Sequence, residues 1–191
     1  MCKLLQAVCL IALLLIMPWS ASSAEGVPAG PCRMIDPSTC VNAKDFSHAS
    51  GFSEALGHFI GSSKVSYFQS DRSLSGQAMS GLGGAGAGVV TLADKRYLFS
   101  ACPSRDCRGS AAAIIVNEYG QIEALGFSSF HCDAACDDYR HLDFYVRKNG
   151  DNDPLIAALK NWATSDSLRK TLPSTDADNG IDGRTSIHVL P

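Results

Sequence analysis

Six cysteines and the charged residues beside them carry most of the chemistry this sequence offers. Between Cys102 and Cys107 the chain reads Pro103, Ser104, Arg105 and Asp106, which puts a cation and an anion side by side. A disulfide across these six residues would close a tight loop, a constraint worth about 2 kcal/mol. Pro103 would remove further freedom. The larger consequence is preorganisation, because a rigid loop loses little entropy when it docks. A stiff loop with a charged tip suits a concave cleft on a partner. The plainer alternative is a hairpin staple whose tip charges face water.

A second group is His131, Cys132 and Cys136, with Asp133, Asp137 and Asp138 nearby. These residue types can hold a metal or make a thiol–disulfide centre. A C-x-x-x-C spacing is not a strong zinc pattern, and no second cysteine pair is placed to complete four ligands. The expectation is a disulfide, with no metal and no cofactor. Asp178, Gly180 and Asp182 faintly resemble a calcium loop, but the twelfth position is Val189 where an acidic residue is required. Gly81, Gly83 and Gly86 match G-x-G-x-x-G without the preceding strand and following helix that a dinucleotide site needs, so they read as a linker. The hydrolase patterns G-x-S-x-G and H-E-x-x-H are absent. Histidines 48, 58, 131, 141 and 188 are scattered, and His58 lies beside an apolar stripe as a structural residue would. The reading is a binding protein, not an enzyme.

The elements that position these groups begin after an export signal. Lys3 precedes an apolar run from Leu4 to Trp19, and Ser20–Ala24 are small. A positive start, an apolar middle and a small-residue cleavage site make a secretory signal. Residues 1–24 are therefore read as removed, with no membrane anchor left, and 25–191 as a single domain. Cys2 and Cys9 leave with the signal. The remaining six, Cys32, Cys40, Cys102, Cys107, Cys132 and Cys136, suggest disulfides in an oxidising compartment. Pairing neighbours is the simplest choice, though six cysteines allow fifteen pairings. Lys3 is the only charge before residue 25. The mature chain thus keeps 15 basic and 19 acidic residues, a formal charge of −4. That argues against nucleic acid and suits either a basic partner or ordinary solubility.

Residues 25–50 read as a loop and 69–88 as a flexible Ser- and Gly-rich one. Between them Ser53 caps a short helix with Phe52, Leu56, Phe59 and Ile60 inside and Gly61 as its stop. Strands are expected at Val89–Leu92, Arg96–Cys102, Ala111–Asn117 and Ile122–Ser129. Tyr139–Arg147 alternates, with His141, Asp143, Tyr145 and Arg147 on a wet face. Asp153 and Pro154 start a helix that lies on the sheet, and Thr185–Leu190 is a last strand. The class is α+β, an antiparallel sheet with short helices packed on it, stapled by disulfides.

The stretch Tyr97-Leu-Phe-Ser-Ala-Cys-Pro-Ser-Arg-Asp-Cys107 resembles the periplasmic inhibitor of vertebrate lysozyme (Ivy) family, whose loop carries Ser-Ala-Cys-Lys-Pro-His-Asp-Cys. Val90–Tyr97, Ala113–Val116, Ile122–Ser129 and Ile181-Asp-Gly-Arg-Thr185 are similar to other parts of the family, so the likeness runs over about residues 50–190. The resemblance implies a periplasmic protein that inhibits C-type lysozyme by placing this loop in the active-site cleft. It implies protection of peptidoglycan and evasion of host defence, and leaves a homodimer open. Its inhibitory residues would be Pro103, Ser104, Arg105 and Asp106. Arg105 stands where the family has histidine, and Pro103-Ser104 where it has Lys-Pro. The pairs Cys32/Cys40 and Cys132/Cys136 look added to the family plan. The arginine leaves room for a second target, a wall-cleaving enzyme of the same cell such as a lytic transglycosylase. A thiol–disulfide or metal enzyme built on Cys132 and Cys136 is the third reading.

Overall fold

The computed structural model describes residues 30–103 and 107–191. The expected signal, and the loop-tip residues Ser104, Arg105 and Asp106, lie outside the described residues. In chain order the helices are α1 (Ala43–Ser47), α2 (Phe52–Ile60), α3 (Leu74–Leu82), α4 (Asn152–Ala163) and α5 (Asp166–Arg169). The strands are β1 (Lys64–Val65), β2 (Arg72–Ser73), β3 (Ala85–Gly86), β4 (Val90–Thr91), β5 (Tyr97–Cys102), β6 (Ala111–Val116), β7 (Ile122–Ser129), β8 (His141–Arg147) and β9 (Thr185–Leu190). The main sheet has the order β3-β5-β6-β7-β8-β9, with β4 also on β5. Its pairs are antiparallel except β8 with β9. A parallel neighbour requires a crossover, and α4, α5 and two short 3₁₀ turns supply it.

Helices cover both faces of this sheet. Ala112, Ile114 and Val116 of β6 pack with α1, α2 and α3 through Phe46, Leu56 and Leu82. Ala113 and Ile115 point the other way, onto Leu155 and Leu159 of α4. A strand covered on both faces is apolar at every position, and all six residues of β6 are buried.

Four sequence expectations change. Residues 25–50 contain α1, capped by the Asn42 side chain, which accepts from the Asp45 N–H. Residues 69–88 contain α3, capped in the same way by Ser73. Gly81 belongs to that helix and not to a linker; a side chain there would press into Ala112 of β6, so the glycine permits close packing. Helix α2 has Gly51 at its N-cap position in place of Ser53, and α4 has Asp151 in place of Asp153, neither with a side-chain capping bond. The fourth change matters most: β8 has no wet face. Asp143 is 4% exposed and Tyr145 5%. Their partners are other protein groups.

All three neighbouring cysteine pairs are bridged: Cys32–Cys40, Cys102–Cys107 and Cys132–Cys136. The domain is thus α+β and disulfide-stapled. No helix among the described residues is long and apolar enough to cross a membrane.

Candidate functional site

The Cys102–Cys107 loop leaves the end of β5. The bridge sets the two Cα atoms 5.1 Å apart. Cys102 is held on its other side by β3, where it pairs with Ala85. The return limb is fixed as firmly. The Ser110 N–H donates to the Cys107 carbonyl at 2.7 Å. Gly109, at a φ of 79° that suits glycine, donates to Thr171 Oγ1 at 3.0 Å and accepts from Ser128 Oγ at 2.5 Å. Both ends of the loop therefore sit on the sheet and its crossover. Of the four residues expected to act, Pro103, Ser104, Arg105 and Asp106, only Pro103 is among the described residues.

Gly84 packs against the base of the loop, where a Cβ would overlap the Cys102 carbonyl oxygen. Gly84→Ala is expected to push β3 off β5 and cost about 1–3 kcal/mol, several degrees in melting temperature. Thermal unfolding followed by circular dichroism checks this; an unchanged midpoint would contradict it.

Beside the loop, between β5 and α4, lies a cleft of about 800 Å³ floored by Leu98, Ala101, Leu155, Trp162 and Leu168. Both Cys102 and Cys107 line it. Its charged rim residues, Asp94 and Arg96, pair at 3.5 Å. No histidine or glutamate is among its lining residues.

A second group forms on the opposite face of the sheet; sequence reasoning named His131 and Asp137 as candidate ligands and set His141, Asp143 and Tyr145 on one strand face, but did not join the two sets or bring in Tyr67 and His188. Asp143 of β8 accepts from His131 Nε2 at 2.8 Å and from His188 Nε2 of β9 at 2.9 Å. Burial would push the Asp143 carboxyl up. The two imidazole hydrogen bonds and the charges behind them outweigh that, and hold it below the ordinary value. The Tyr145 ring stacks on His188 at 4.4 Å, and its hydroxyl meets that of Tyr67 at 2.5 Å. Burial is the main cause that raises both phenols, Tyr145 to about 12 and Tyr67 further. His131 and His141 stack at 4.0 Å, and His141 Nε2 lies 3.0 Å from Asp137 Oδ2. Burial, then the neighbouring His131, lowers His141 below the usual imidazole range. The alternation along β8 puts His141, Asp143 and Tyr145 on one face, but it does not show that protein rather than water covers that face.

The acidic residues near Cys132 do not act together. Asp133 accepts from Ser70 Oγ at 2.6 Å, whereas Asp137 faces His141. Asp178 and Asp182 are also apart in role, the first paired with Arg140 and Arg169, the second with Lys160.

No protein-family model matches this chain, and searches of curated proteins and of solved structures find no match.

Proposed function

We propose that this protein is an exported, non-enzymatic inhibitor of a C-type lysozyme, acting from the periplasm by filling the active-site cleft with its Cys102–Cys107 loop. The observation that carries the reading is the disulfide across the loop's base, at the end of an inner strand and with both limbs tied to the sheet. A bridge across the base removes part of the entropy a docking loop would otherwise lose. The three disulfides suit an oxidising compartment.

Glycosidases of this kind work with two carboxyl groups about the scissile bond, one protonated and one ionised. The Arg105 guanidinium offers a fork of donors to the ionised carboxylate. The Asp106 carboxylate can accept the proton of the other. The loop is peptide and has no glycosidic bond, so it occupies the cleft without being cleaved. The chain's acidic balance speeds encounter with a cationic enzyme.

The test is competition. Hen lysozyme labelled with a fluorophore should bind the oxidised mature protein, and a chito-oligosaccharide held in the cleft should displace it. Binding unaffected by saturating oligosaccharide would remove the cleft mechanism.

A further inference from the structure

We propose that His131, Asp137 and His141 form a binding site for a borderline divalent cation of the zinc type. One ligand atom of each of these residues lies within 4.8 Å of the other two. Two imidazoles and a carboxylate are a donor set suited to zinc, while magnesium and calcium prefer oxygen alone.

The chain brings these three groups together by a specific device. His131 immediately precedes Cys132, and Asp137 immediately follows Cys136. The Cys132–Cys136 bridge, with its Cα atoms 3.9 Å apart, therefore folds the two ligands back toward each other. His131 sits at a φ of 44°, a left-handed conformation that turns the chain at this point. His141 comes from the first position of β8, and its side chain is 22% exposed. The site is thus open to an ion on one side and anchored to the sheet on the other.

The groups behind the ligands fit the same purpose. Asp143, whose side chain is 5% exposed, accepts from His131 Nε2. That leaves Nδ1 of His131 as the nitrogen with a free lone pair. A ligand histidine whose other nitrogen donates to a carboxylate is held in one tautomer and one orientation, and is made more basic. His188 holds the second Asp143 oxygen and keeps that carboxylate in place. Across the β7–β8 ladder, Ser129 pairs with His141 and shares its face of the sheet. The Ser129 hydroxyl is buried and has no hydrogen-bond partner among the described residues. Buried hydroxyls are rarely left so. Three protein ligands leave zinc a fourth position for water.

The His131 and His141 rings stack within 18° of parallel. Their in-plane lone pairs then run side by side. Binding turns the His141 ring out of the stack so that the two lone pairs converge.

The test is titration calorimetry of the oxidised mature protein with zinc chloride, with magnesium chloride as control. Saturable binding of one zinc per chain is expected, with none for magnesium. Affinity should fall at least tenfold in both H141A and D137N, and about 10–100-fold in Asp143→Asn, which removes the carboxylate charge that both His131 and His188 face but leaves the three ligands in place. H58A, on the exposed surface of α2, should bind as the parent does. Circular dichroism establishes that each variant is folded. In the parent, zinc should shift the imidazole proton resonances of His131 and His141 and leave those of His58 in place. Absence of saturable binding by the parent would overturn the proposal, as would undiminished affinity in folded H141A and D137N. Neither result depends on the Cys102–Cys107 loop.

Discussion

Replacing Arg140 with methionine is expected to lower the free energy of unfolding by about 3–5 kcal/mol, the usual loss when one partner of a buried ion pair is removed. Arg140 is completely buried. Its Nε and Nη2 donate to the two oxygens of Asp178 at 2.6 and 2.8 Å. Its Nη1 donates to Ser128 Oγ at 3.0 Å and to the Ala163 carbonyl at 2.8 Å. One side chain thus joins the start of β8, the end of β7, the end of α4 and the turn Thr175–Asp178. Methionine fills the volume but leaves Asp178, 14% exposed, with Arg169 as its remaining partner. It also leaves the Ala163 carbonyl without its donor. Urea unfolding of the oxidised protein measures the effect. A loss below about 1 kcal/mol would place the pair among solvated ones, where such values are ordinary. Changing Asp178 to asparagine as well should recover part of the loss, because the uncompensated charge is then gone.

The second large effect is on inhibition. The double variant Arg105→Ala, Asp106→Ala should weaken inhibition of lysozyme about 30-fold or more, with the unfolding midpoint unchanged. A charged group at the centre of a desolvated contact is typically worth 2 kcal/mol or more on truncation, and 1.4 kcal/mol is a factor of ten. Opening the loop by Cys102→Ser with Cys107→Ser should weaken inhibition by a different route. The closure term of about 2 kcal/mol is then lost at docking, and the same tip residues must be ordered when they bind. A tip variant that inhibits like the parent would separate the loop from the activity.

Much of the sheet could be read from the sequence because its strands have period-two patterns and clear turns. Ile122–Ser129 and Thr185–Leu190 coincide with β7 and β9. The Cys102–Cys107 bridge, the simplest of the pairings the sequence allows, also forms at the end of β5. Helix α3 was not legible. Its stripe is Leu74, Ala78 and Leu82, spaced by four and buried, but the surrounding serines and glycines have low helix propensity. Packing against β5 and β6 overrides it. The histidine group was hidden for another reason. Alternation along β8 shows which residues share a face, yet it cannot show whether water or protein covers that face. Here Tyr67, brought from the segment before β2, closes over Tyr145 and Phe127. Arg140 was silent in sequence because its partner is 38 residues away.

The proposed inhibitor stops a lysozyme by occupying its cleft. Lysis of a bacterial cell suspension by hen or human lysozyme, recorded with increasing amounts of the folded, oxidised mature protein, is the decisive experiment. Dose-dependent loss of lysis is expected, with the Arg105, Asp106 double variant far less effective. Full lysis in the presence of excess parent protein would contradict it.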